Sequence, residues 1–279
     1  MRPNTRKILF LLLALAVGLG YPYLNMLVSN GVYGLISAMM QGGARTVAQM
    51  PYYIELFCDL ITGLIYAGIL ILAFRRSKAA DSDEYKTKER IRYSTLLQCI
   101  VIGAGALGLS TLWVMAAGKI PMLAEEMQLF EKFNSMHSYG GFLSIIVLPV
   151  ILAPIIEEIA FRGIVFQGME KVRKGVLPIL ISAFLFGLMH MMLIQSVYTF
   201  IMGFIAGIIY SKRRNLLYPI VIHMTNNLIS SAQVAFPQAD MLINVIVIAM
   251  ILPAGYFVYR VWKQKGNGTE SLASYNRIS

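Results

Sequence analysis

Between Phe142 and Met169 an apolar run long enough to cross a bilayer carries Glu157, Glu158 and Arg162. On insertion scales each such charge costs roughly 2.5–3.5 kcal/mol at a helix centre, so three within six residues demand a reason. Glu158 and Arg162 are four apart and share a helix face, with the acid on the favourable N-terminal side. Glu157 is turned about 100° away and is the less neutralised of the two acids. A buried carboxylate without a close cation can serve as a base near neutral pH. An ion pair that only pins helices together accounts for Glu158 and Arg162 and leaves Glu157 unaccounted for. Pro154, one turn before Glu157, could kink the helix and admit water, although proline is also ordinary in membrane helices.

Further polar groups sit in apolar surroundings. His190 follows the run Phe184-Leu185-Phe186-Gly187-Leu188-Met189, and His223 opens His223-Met224-Thr225-Asn226-Asn227. His223 and Asn227 are four apart and face the same way, whereas Asn226 does not. A lone membrane histidine is often no more than an interhelical hydrogen bond. Two of them, with two acids and an amide, make a chemical centre the stronger reading. The third histidine, His137, belongs to a polar stretch and is expected to be solvated. Counting from the nearest basic residue at the helical rise, Glu157 lies about 21 Å from Lys171, His190 about 24 Å from Lys174 and Asn227 about 20 Å from Arg214. His223 comes out one turn shallower, at about 14 Å. One shared polar layer near mid-membrane, opening inward, is therefore expected.

The elements that must hold this layer are membrane helices. The chain has 279 residues, 57% hydrophobic and 14% charged, with a mean hydropathy of +0.66. That composition excludes a soluble domain and indicates a polytopic all-α helical bundle. Bilayer-length windows fall at approximately 8–28, 52–74, 96–117, 142–169, 176–194, 197–211, 216–235 and 241–262, about eight spans. The net charge of +10 reflects topology. Arg2, Arg6 and Lys7 precede the first span, and Arg75 to Arg92 fill the loop after the second. Lys171, Arg173 and Lys174 follow the fourth, Lys212 to Arg214 the sixth, and Lys263 and Lys265 the eighth. The opposite loops carry Arg45, Lys119 and Lys132. This alternation predicts both termini in the cytoplasm, and it makes membrane lipids, not nucleic acid, the partner of the basic residues.

The first span reads as an uncleaved signal anchor. Cys58 and Cys99 fall in opposite leaflets, so no disulfide is expected. Residues 29–51 read as an outer loop and 75–95 as a solvated charged segment. Residues 118–141 read as an amphipathic outer helix, and the tail from Gly266 as disordered. Gly203 and Gly207, like Gly103, Gly105 and Gly108, read as sites of close helix packing. Within what is one domain overall, residues 1–141 hold about three spans, 142–235 the motif-bearing core, and 236–279 the last span and tail.

Glu157-Glu158-x-x-x-Arg162, Phe186-x-x-x-His190 and His223-x-x-x-Asn227 resemble the three ordered motifs of the CAAX-processing and bacteriocin-processing (abortive-infection) intramembrane protease family. The resemblance spans about 142–235, and no motif position departs from it. It implies an endopeptidase acting on a membrane-associated protein or peptide. Glu157 would be general base, His190 would hold the same water, and His223 and Asn227 would stabilise the oxyanion. Glu158 and Arg162 would be the supporting pair. Glu157, His190 and His223 are also ligand types suited to zinc, and the family is commonly labelled metalloprotease. The absence of HExxH favours a metal-free site, with no cofactor. The competing classes are a catalytically silent scaffold or regulator and a proton-coupled transporter; for the latter, inverted repeats would be expected and none is visible. The compact chain with basic inner loops is compatible with a bacterial cell membrane.

Overall fold

The computed structural model describes residues 3–39, 52–75, 91–137 and 143–264. Residues 40–51, 76–90, 138–142 and those from 265 onward lie outside the described residues, and with them much of the expected outer loop, the charged segment and the tail. No strand occurs among the described residues; the expected helical membrane bundle is what forms. Helices α1 (Pro3–Met39), α2 (Tyr52–Arg75) and α3 (Tyr93–Ala117) make the N-terminal part. A short helix, α4 (Ala124–His137), follows. Helix α5 then runs unbroken through Leu143–Leu152, Ala153–Glu158, Ile159–Phe166 and Gln167–Val172. After it come α6 (Leu177–Leu188), α7 (Leu193–Arg213), α8 (Leu217–Ala235), α9 (Asp240–Ala249) and α10 (Ile251–Lys263).

Among the described residues, five segments are long and apolar enough to cross a membrane: Asn4–Ile36, Ile54–Phe74, Tyr93–Ala117, Leu193–Arg213 and Pro237–Lys263. The window at 176–194 is not a full span. It holds α6, whose 12 residues reach about 18 Å at the helical rise, against a core of about 30 Å. Met191 ends it by taking a left-handed backbone, φ 57°, and Met192 is extended. Helices α6 and α7 therefore form a tight hairpin, and His190 lies in its tip instead of inside a helix.

Helix α5 is the axis. Proline has no N–H to give, so Pro149 and Pro154 each remove one backbone hydrogen bond. The flanking stretches, Leu143–Leu152 and Ile159–Phe166, adopt wide π-type turns, which recur at functional sites. Between lipid-embedded helices packing replaces the hydrophobic drive, and small residues set how closely backbones approach. A Cβ on Gly168 would lie 3.2 Å from Ala14 Cβ, and the rings of Tyr21 and Phe161 are 5.5 Å apart. Helix α1 thus runs antiparallel to α5. Gly63 meets Ile156 and Leu70 meets Gly163, so α2 runs parallel to it. Gly103 abuts the Ile222 carbonyl of α8, and Gly105 and Gly108 abut the Met250 and Val247 carbonyls. These are the close approaches expected of those glycines. Both cysteines are buried free thiols. Leu123, in the turn that precedes α4, and Phe130 of α4 pack with Ala117 and Ile194 beside the hairpin tip.

Candidate active site

One turn separates Glu158 from Arg162, and the expected pair forms, Arg162 Nη1 donating to Glu158 Oε1 at 2.9 Å with both side chains fully buried. Arg162 is held from two further directions. Its Nη2 donates to the Gly203 carbonyl of α7 at 2.8 Å, and its guanidinium stands 4.8 Å over the Phe186 ring. Removing the Cβ at position 203 is what admits this contact, since one built there would sit 3.1 Å from Phe186 and 3.2 Å from Arg162 Nη2. Spacing alone suggested a packing glycine; the structure adds a carbonyl ligand for the arginine.

His223 comes from α8 into the same cluster. Its Nδ1 lies 3.2 Å from Glu158 Oε1, and its Nε2 lies 3.7 Å from Glu157 Oε2. One imidazole therefore bridges the two adjacent acids. The acids are not equivalent, because the Glu158 side chain is 0% exposed and that of Glu157 is 13% exposed. The enclosed acid is tied up by arginine and histidine. The accessible one faces a histidine nitrogen and is partly exposed.

His190 is half-buried in the hairpin tip. Its Nδ1 is 2.9 Å from the Phe186 carbonyl, which requires Nδ1–H as the donor and leaves Nε2 as an acceptor. Its ring is 5.2 Å from that of Phe186, and the ring of His223 is 5.6 Å from it. The two histidines thus stand around one phenyl ring, which also meets Phe161 edge-on at 5.1 Å. Among the described residues no ion pair joins His190 to either glutamate.

Asn227 donates Nδ2–H to the Pro149 carbonyl at 2.7 Å. A π-type turn would aim the N–H of residue 154 at that carbonyl, but residue 154 is proline and has none. The asparagine fills the vacancy and ties α8 to α5. Asn226 lies one turn beyond Ile222 on the side facing α3, as its spacing required, and is buried.

Zinc would need three protein donors converging on one point. Among the described residues no three His, Cys, Asp or Glu side chains are gathered that way. As placed, Glu157, His190 and His223 do not fit the ion.

One intramembrane acid was passed over in the sequence: Asp59, two turns into α2 and next to Cys58. The insertion cost that singled out Glu157 applies to it equally. Asn25 Nδ2 of α1 donates to Asp59 Oδ1 at 3.4 Å.

Comparison with known proteins bears on the same segment. Residues 139–229 match the family described as type II CAAX prenyl endopeptidase Rce1-like. A Bacillus subtilis (strain 168) protein named "Putative membrane peptidase YdiL" is 27% identical over 135 residues, 44% of this chain and 55% of that protein. The match therefore spans about half the length of that curated relative. No solved structure matches the chain. The family match encloses all six site residues from Glu157 to Asn227, and the segment 139–229 is Rce1-like, as its three motifs implied.

Proposed function

We propose that the protein is an intramembrane endopeptidase that hydrolyses a peptide bond of a membrane-associated protein or peptide. The observation that supports this most is the division of labour between adjacent acids. Glu158 is enclosed and neutralised, while Glu157 is accessible and faces His223 Nε2 at 3.7 Å. A helix pin needs the first acid only. The Rce1-like match over this segment and the name of the Bacillus subtilis relative point the same way.

In this reading Glu157 takes a proton from water as the oxygen attacks the scissile carbonyl carbon. His190 Nε2, left free by the Nδ1 bond to Phe186, accepts a hydrogen bond from the same water and helps move its proton. The carbonyl oxygen becomes an oxyanion, to which Asn227 donates together with His223 in its doubly protonated form, Nδ1–H on Glu158 and Nε2–H on the oxyanion; each such donor is worth about 3–4 kcal/mol in the transition state. Asn227 keeps one Nδ2–H on the Pro149 carbonyl and offers the other to the oxyanion. Glu157 then returns the proton to the leaving amine as the C–N bond breaks. Glu158 and Arg162 hold the Glu157 turn and touch no substrate. The site is metal-free.

Membrane peptidomes from cells carrying the native chain and Glu157→Gln test the proposal. Cleavage products present in the first and absent from the second are the expected result. Identical peptidomes would refute it and leave a scaffold.

A further inference from the structure

We infer that Asn25 and Asp59, on α1 and α2, form a substrate-positioning pair that completes the site opposite His223, with the Asn25 amide oxygen accepting a backbone N–H of the peptide. The inference rests on the proposed peptidase reading, and three contacts carry it. Along the antiparallel α1–α5 pair, Ala14 lies against Gly168 and Tyr21 against Phe161. The two numbers total the same in both pairs, so the register brings Asn25 level with Glu157. Tyr21 and Asn25 share a face of α1, being four apart, as Glu157 and Phe161 share a face of α5. Along the parallel α2–α5 pair, Gly63 meets Ile156, and Asp59 lies one turn before Gly63.

The pair has one acceptor to spare. Asp59 takes the Asn25 Nδ2–H, which fixes the amide and leaves Oδ1 as its acceptor. Among the described residues that Oδ1 is buried with no hydrogen-bond partner. An orphaned acceptor in an apolar setting is costly unless something supplies a donor. A peptide lying along Glu157 offers a row of N–H groups that nothing in the lipid satisfies, so the acceptor and the substrate answer each other's need. The carboxylate itself binds no peptide; it positions Asn25.

Two measurements test this. First, in a chain with Cys58→Ala and Cys99→Ala, the pair Asn25→Cys and Glu157→Cys is treated in native membranes with a short bismaleimide. Crosslinking is expected, and none with Tyr23→Cys, which points outward, in place of Asn25→Cys. Absence of the first crosslink overturns the register. Second, the probe is an internally quenched peptide carrying a cleavage site lost in the Glu157→Gln comparison. Asn25→Leu and Asp59→Leu should each raise KM about three- to tenfold, the loss of one neutral hydrogen bond, with kcat within about twofold. Their double variant should be no worse than either alone. Asp59→Asn, which still accepts from Asn25, should keep the native KM. An unchanged KM in Asn25→Leu, or equal damage from Asp59→Asn and Asp59→Leu, overturns the pair while leaving the peptidase intact. If Glu157→Gln loses no site, the peptidase falls and this subsite falls with it.

Discussion

Glu157 and Glu158 differ by one position and by nearly everything around them. Arginine, histidine and complete burial make Glu158 a structural acid; partial exposure leaves Glu157 able to exchange protons with a guest. Glu157→Gln should therefore abolish cleavage while leaving expression and membrane insertion near normal, read by immunoblot of washed membranes beside the peptide assay. Arg162→Ala should act on folding, because it strands Glu158 as an unpaired buried charge. A loss of about 3–5 kcal/mol is expected, seen as lower yield and earlier thermal aggregation in detergent. Purified protein should hold less than stoichiometric zinc by atomic emission and keep its activity in chelator; loss restored by zinc would refute the metal-free form alone. The Glu158–Arg162 pair was legible in sequence because it lies within one helix turn. The His223 bridge was not, since it joins residues 65 apart on helices whose rotation no local spacing reports. Asp59 was legible on the same cost argument as Glu157 and needed only to be weighed.

At the level of the elements, the apolar windows located the helices, but two readings misled: 29–51 as an outer loop, where α1 runs on to Met39, and the window 176–194. Its hydropathy continues smoothly through Met189-His190-Met191-Met192, with no Gly or Pro to mark a break. The chain nonetheless reverses there, on a left-handed methionine. A non-glycine residue pays about 1–2 kcal/mol for that conformation, and packing of the hairpin offsets it. The reversal matters because it sets His190 in a tip, where its imidazole reaches back to the Phe186 carbonyl. Gly203 is the matching device on α7. Gly203→Ala should cost about 1–3 kcal/mol through overpacking against Phe186 and Arg162, measured as a lower melting point. It should also reduce kcat, since the displaced guanidinium carries Glu158 with it. Asn227→Ala should lower kcat more than it raises KM, and should loosen α5 near Pro149, read as faster amide exchange in α5.

Across the whole molecule, relative helix directions follow the alternation that the basic residues implied: α1 against α5, α2 along it, α6 against α7. Single cysteines placed at residue 4 and in the 76–90 segment should both be shielded from a membrane-impermeant maleimide in intact cells. Labelling of either from outside would reverse the orientation. The parallel pairing of α2 with α5 also bears on how the protein is made. Neighbours that run the same way cannot be joined by a hairpin, so the chain must cross back through α3 first. Ile156 follows Gly63 by 93 residues (156 minus 63), which at ordinary translation rates is roughly 5–20 s of synthesis. For that interval α2 waits in the bilayer without its partner, and Asn25, on the helix made just before it, gives Asp59 a hydrogen bond in the meantime. A nascent α1–α2 unit with its acid already satisfied can persist alone, so a chain translated as two pieces divided at 76–90 should reassemble after insertion.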